Sequence, residues 1–383
     1  MDYFKMRRVQ CACLLSLVLC LLYSAAPVIG DTGGVEQASS EEGFSFSESS
    51  PALSDTLTAQ GQSNAAKHWT APVTRTGDYT RAYTIDLPPG RAGMTPTLGL
   101  GYQSSNRSES TAGVGWSLPR RSIRRSTSNG VPPVHRVGGE PKYDDSTTVF
   151  EIDGQVLVPL DDTEAQPFPT TSSSRFFGLQ REGSVVRYEY TGLESKDCWI
   201  AHLPDGSKEL YGCDTAHDRH GRVVNVQGTF EWLLLEIRDS SGNTIVYDYH
   251  FLDDPEHGQN RADLSQIQLD PVLSEVRWGG NIHVGLDSMF AARISLEKTT
   301  LDRGSHGWRI RDVDMKHGGV ARVGRVHTIT VGHTTGPSDS DSPLIAYWSY
   351  DFKYHTSSDT GRWLLSSIIR RAQGEPPIEM GFA

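Results

Sequence analysis

The chain has 383 residues, enough to bury one or two cores without metals or disulfides. Its 38 Gly, 20 Pro, 8 Trp and 14 Tyr, with few helical signatures, point to an all-β protein of consecutive antiparallel strands and hairpins. A formal net charge of −11 disfavours nucleic acid as a partner.

Residues 1–30 read as a secretory signal. Lys5, Arg7 and Arg8 precede an apolar run from Cys11 to Leu22, and the small residues Ser24, Ala25, Ala26 and Gly30 follow. That run is too short to span a bilayer, and no later segment could, so no stable membrane anchor is expected. Cys20 would suggest a lipoprotein, but Leu19 stands where a lipidation box wants Gly, Ala or Ser. The mature chain is expected outside the cell after periplasmic transit. Its loss of three basic residues and one acid leaves 33 Lys and Arg against 46 Asp and Glu. Residues 31–68 are rich in Ser, Glu, Gly, Ala and Gln, with Phe44 and Phe46 as the only aromatic side chains, and predict a disordered leader. A β domain is expected over 69–383.

In that domain Tyr83, Ile85 and Leu87 alternate as in a strand, and Pro88-Pro89-Gly90 turns the chain. Gly93 and Pro96 follow. Leu98, Leu100 and Tyr102 then alternate with Thr97, Gly99 and Gly101, giving one large apolar face and one nearly bare face that another backbone could approach. Gly113 and Gly115 leave Trp116 on a permissive backbone, able to plug against the bare glycine surface. All of these are structural residues; none offers acid, base or nucleophilic chemistry. The basic cluster Arg120, Arg121, Arg124 and Arg125 has two readings: a solvated strand edge that discourages aggregation, or an electrostatic contact with an acidic partner.

Asp153-Gly154 marks a two-residue hairpin between strands at Val149–Ile152 and Gln155–Leu160, and Val185–Tyr190 reads as another strand. Cys198 and Cys213 flank the hairpin Trp199–Gly212. A two-residue turn on Asp205-Gly206 would set the cysteines directly opposite, whereas Pro204 favours a three-residue turn with a glycine bulge, which offsets them by one. In an exported chain they form a disulfide; the other reading is two free thiols packed at a strand end.

Ile245, Tyr247, Tyr249 and Phe251 share a face after the turn at Asp239–Asn243, and Trp348, Tyr350, Phe352 and Tyr354 share another after the loop 335–343. Such ladders form sheet cores; facing solvent, they would form a sugar-binding platform. Strands are also expected at Trp308–Val313 and Val323–Val331. Trp232-Leu-Leu and Trp363-Leu-Leu each lead to an Ile-Arg pair, as in a chain that enters one growing sheet twice.

No catalytic, cofactor-binding or metal-binding residue is expected. His-Glu-x-x-His, Gly-x-Ser-x-Gly, phosphate loops and Cys-x-x-Cys are missing from the sequence. His217 and His220 read as surface histidines, and the acidic groups Asp253, Asp254, Glu256 and His257, or Asp339 and Asp341, match no calcium loop. The run at His317 lacks the nucleophile an oxyanion loop would serve.

The segment Leu87–Tyr102, the Gly-x-Gly-Trp at 113–116, the strand pair Phe150–Pro159, the hairpin Trp199–Gly212 and the run Trp232–Tyr249 together resemble one known domain. It is the amino-terminal domain shared by the Salmonella plasmid virulence B protein and the B subunits of bacterial insecticidal toxin complexes, relatives of Rhs/YD-repeat proteins. The resemblance implies a β-shell that houses or carries a toxic payload. It also implies that enzymatic activity, ADP-ribosyl transfer in the Salmonella case, resides in a separate carboxy-terminal domain. The implied partners are other toxin-complex subunits or a carboxy-terminal effector domain, with contact at a host surface. No Glu-x-Glu transferase signature stands in a suitable setting, and the chain stops within a strand-and-turn unit, as a truncated or partial shell would. The alternatives are a carbohydrate-binding or adhesion module using Tyr350 and Tyr354, and a hydrolase built on Asp239, Asp253 and Asp254.

Overall fold

The computed structural model describes residues 77–161, 174–181, 183, 185–191, 197–212, 221–225, 227–250, 268–269, 271–297, 320–321, 324–335 and 342–382. The signal, the leader, Cys213, His217, His220, the loop 253–257, the strand expected at 308–313, His317, Asp339 and Asp341 lie outside them. The described residues are β throughout, with one 3-10 turn at Arg91–Gly93, and none of their helices is long and apolar enough to cross a membrane.

One 16-stranded antiparallel sheet organises the chain. Eight of its strands close a ring: Ser122–Arg125, Phe150–Ile152, Gln155–Pro159, Ser174–Leu179, Arg187–Thr191, Cys198–His202, Lys208–Tyr211 and Gly228–Arg238. The ring closes because Gly228–Arg238 is long enough to take Ser122–Arg125 on one edge and Lys208–Tyr211 on the other. Beyond Ser122–Arg125, its Glu236–Arg238 portion pairs with Asn243–His250. From there the sheet runs out as an open arm through Val272–Asn281, Phe290–Glu297, Arg325–Thr334, Leu344–Thr356, Trp363–Ala372 and Ile378–Gly381. A strand shared by barrel and arm is covered on both faces, so its sequence holds a continuous apolar run, Trp232 to Leu235, instead of an alternation.

An eight-stranded barrel is just wide enough for side chains to fill it. Here the filling is aromatic: Phe150, Trp199, Tyr211 and Trp232 are fully buried with Ile123, Tyr188, Tyr190 and Phe177. Trp199 sits at the centre, its ring 4.7 Å from Tyr190, 4.9 Å from Phe150 and 5.0 Å from Phe177. A second core lies on the arm, where Trp278, Val326, Ile329, Val331, Tyr350, Phe352 and Ile368 are buried. Ile237 and Tyr247 pack against both cores.

The expected hairpins are present. Asp153 and Gly154 both take positive φ, 50° and 77°, and Ile152 pairs with Gln155 across them. At the cysteine hairpin Leu203 N–H bonds to the Ser207 carbonyl around Pro204-Asp205-Gly206, with Gly206 at φ +82°, which is the three-residue turn. That register pairs Trp199 with Tyr211. Both Trp-Leu-Leu segments lie on strands of the one sheet.

Neither reading of the arginine cluster holds. Ser122–Arg125 is an interior strand, paired on both edges, and its arginines are neutralised within the fold. Arg120 and Ser122 hold Glu231, at 3.2 and 2.6 Å, and Arg124 holds Glu151 at 2.6 Å. Arg121 pairs with Glu209 and Asp153. Arg125 is 3% exposed and bonds Asp145 at 2.7 Å beneath the rings of Tyr143, Phe150 and Trp232. Arg121 and Arg125, two residues either side of buried Ile123, are thus tied into the barrel by carboxylates.

Candidate functional site: the glycine-rich segment on the arm

The segment singled out in the sequence forms a separate three-stranded sheet, Thr80–Thr84, Gly99–Gln103 and Trp116–Ser117. Its apolar face, Tyr83, Ile85, Leu98, Leu100 and Trp116, is buried against the arm. Alternation explains this directly: every second residue is large, and the large set needs a partner surface.

Trp116 lies elsewhere than the bare-face reading implies. It pairs with Tyr102, so it shares the large apolar face and turns away from Gly99 and Gly101. Its ring, 4% exposed, rests on Tyr102 at 5.2 Å and Phe382 at 4.8 Å. The glycines have different jobs. A Cβ on Gly99 would stand 2.6 Å from the Tyr83 carbonyl, whereas one on Gly101 would meet nothing nearer than Ser117 Oγ at 3.6 Å. Gly113, at φ +98°, lets the loop backbone lie against the strand Trp363–Ala372, where a Cβ would stand 3.1 Å from the Trp363 carbonyl. Gly115, at φ +77°, sits under the Tyr102 ring. Gly90 passes close to the Met94 carbonyl, with the Trp278 ring beyond, while Gly93 takes φ +80° in open space. Pro96 is buried.

Polar ties fasten this lid, and sequence reading missed them. The Trp278 indole N–H donates to the Pro88 carbonyl and that of Trp348 to the Asp86 carbonyl, both at 3.0 Å. The Asp86 N–H donates to the Tyr350 hydroxyl at 3.0 Å, and that hydroxyl lies 3.1 Å from Asp86 Oδ2. Burial, then the Asp86 carboxylate, pushes Tyr83 up to about 12. Glu109, buried, accepts the Trp363 N–H at 2.7 Å. The available signal was Asp86 itself, an acid just ahead of a Pro-Pro-Gly turn.

Tyr350, 1% exposed, and Phe352 belong to the arm core, and half-buried Trp348 and Tyr354 pack against it, so this ladder is no solvent-facing platform. Asp239 caps its own turn, accepting from Ser241 and Asn243. Among the described residues no three His, Cys, Asp or Glu gather to hold a metal. Cys198 is disulfide-bonded; its expected partner Cys213 lies outside the described residues.

A filled aromatic barrel, an open arm leaving it through one shared strand, and a glycine-rich lid define a β-shell module. Residues 73–300 match the family described as SpvB, Salmonella virulence plasmid 65kDa B protein, and the chain belongs to that family. It is 31% identical over 223 residues to the mono(ADP-ribosyl)transferase SpvB of Salmonella choleraesuis strain SC-B67 and to that of Salmonella enteritidis. The match covers 54% of this chain but 35% of each relative, so the chain spans about a third of their length. The N-terminal domain of effector protein SpvB from Salmonella typhimurium strain LT2 has the same fold, with a TM-score of 0.57 and 21% identity over 76% of this chain and 98% of that one. A chain of the TcdB2-TccC3-TEV structure gives a TM-score of 0.62 and 20% identity over 85% of this chain and 16% of that one.

Proposed function

We propose that this chain is a secreted, non-catalytic scaffold for toxin delivery, contributing β-shell structure that houses or carries a toxic partner. The observation that carries the reading is the fold likeness to the TcdB2-TccC3 assembly over 85% of the chain. The relatives named as transferases share only 35% of their length with it, which leaves room for their activity in the remainder. The buried acids support the same reading: Glu209, Glu231 and Glu275 each face an arginine, so their charges are committed to the fold. The partner in this reading is another toxin-complex subunit or a carboxy-terminal effector domain, and the chain reaches it after export through a signal at 1–30. The disulfide at Cys198, paired with Cys213, suits an oxidising compartment.

Incubating the purified chain with labelled NAD and host-cell lysate tests the absence of catalysis. No label is transferred by the chain alone, and transfer requires a separate effector polypeptide. Transfer by the chain alone overturns the reading. Peptide mapping without reduction finds Cys198 linked to Cys213; a free Cys213 thiol contradicts that pairing.

A further inference from the structure

Val134–Val137 and Glu140–Tyr143 form a two-stranded ribbon beside the barrel, turning on Gly138 and Gly139, both at positive φ. All four residues of its first strand are exposed, and among the described residues no third strand joins it. A two-stranded ribbon alone in water is marginal at best; further strands or a covering surface make one stable. Its base is fixed to the barrel. Tyr143 is buried, its ring 6.5 Å from that of Phe230 and 4.4 Å from the Arg125 guanidinium, and its N–H donates to the Gln227 carbonyl at 3.0 Å.

The two outer edges of the ribbon differ. The Asp144 N–H donates to the Pro133 carbonyl at 2.9 Å, so by alternation His135 and Val137 bond inward, and Val134 and Arg136 turn their N–H and C=O groups outward. On the opposite strand the outward edge is closed, because Gln227 takes the Tyr143 N–H and Pro141 has none to give. The edge at Val134 and Arg136 has neither device.

Charge selects what can pair there. Arg136 donates to the Gly139 carbonyl at 2.9 Å and meets no carboxylate among the described residues. The nearby acids are placed or committed elsewhere. Glu140 lies across from Val137 on the far strand, Asp144 accepts from the Ser146 and Thr147 hydroxyls at 2.6 and 2.9 Å, and Asp145 holds Arg125. A second copy set antiparallel on this edge would bring Arg136 directly opposite, or diagonally across from, its own counterpart, and like charges so placed repel. In a bilayer the outward N–H and C=O groups of Val134 and Arg136 would lie unpaired in hydrocarbon.

An extended acidic segment meets both demands, closing the backbone bonds and neutralising the arginine. We infer that the edge Val134–Val137 takes an antiparallel strand from a different polypeptide, with an acidic side chain opposite Arg136 and apolar ones opposite Val134 and Val137. These two valines, 46% and 54% exposed, present apolar surface on the two faces of the ribbon. From its own amino terminus the segment reads apolar, acidic, any residue, apolar. The inference stands independently of the delivery role.

The test titrates the purified full chain with the peptide acetyl-Thr-Val-Glu-Thr-Val-Thr-amide and follows amide hydrogen exchange. The Val134 and Arg136 amides slow about tenfold, while those of His135 and Val137, already bonded within the ribbon, change far less. Arg136→Glu, at an exposed position and with an unchanged melting curve, weakens the acidic peptide about fivefold or more. The same variant gains binding to acetyl-Thr-Val-Lys-Thr-Val-Thr-amide, which the parent does not bind. No slowing at Val134 and Arg136, equal binding of the two peptides by the parent, or an unchanged preference in Arg136→Glu overturns the proposal. Pairing of this edge with a second copy, or binding to phosphatidylglycerol vesicles in place of the peptide, overturns it as well.

Discussion

The Arg125 guanidinium sits 4.4 Å from the Tyr143 ring centroid and within 5.3 Å of those of Phe150 and Trp232, its Nε donating to the Thr229 carbonyl at 2.8 Å. A planar, weakly hydrated cation suits such a place, and an ammonium does not. Arg125→Lys is expected to cost about 1–3 kcal/mol in urea unfolding, from lost stacking and charge-assisted bonds; an unchanged midpoint would contradict the buried role. Trp116→Ala removes a ring that bridges the lid and Phe382, and the expected cost is about 3–5 kcal/mol. Its thermal melt reads the loss directly. Asp78 accepts from Ser104, Ser105 and Gln103, and those bonds, the serine hydroxyls foremost, hold its carboxyl well below the ordinary 3.8. A carboxyl depressed in the fold stabilises above its unfolded value and loses that contribution as pH falls through the folded one. Asp78→Asn therefore flattens the acid side of the stability curve below about pH 3.8, measured by denaturation across pH. An acid limb as steep as the parent's would count against it.

At the scale of elements, the lid joins the arm by close backbone approach as much as by apolar burial, and its glycines separate by position. Gly113→Ala places a side chain at φ +98° against the Trp363 carbonyl and is expected to cost about 1–3 kcal/mol. Gly101→Ala meets only Ser117 Oγ at 3.6 Å and is expected to stay within about 0.5 kcal/mol of the parent. Equal effects of the two in calorimetry would refute this assignment. Period-2 alternation made these strands legible in the sequence, and Asp153-Gly154 fixed its hairpin, because both signals are local. The destination of Trp116 was not legible, since glycine pattern alone does not say which face a neighbouring strand presents. The arginine cluster misled for a related reason: its counter-charges come from Asp145, Glu151, Asp153, Glu209 and Glu231, which only strand pairing brings near.

For the whole molecule, the strand Gly228–Arg238 serves barrel and arm together, and Ile237 touches both cores. Local alternation could not announce ring closure, because closure depends on which edges of one long strand are occupied. Ile237→Ala is expected to raise hydrogen exchange in the barrel and the arm alike; a change confined to one would show that the cores open independently. If the two-core shell holds another polypeptide, as proposed, native mass spectrometry of the protein taken from its own producer reads the pair out. The expected result is a stoichiometric complex with a second chain or domain bearing effector activity. A lone chain at every concentration tested, carrying neither, would contradict it.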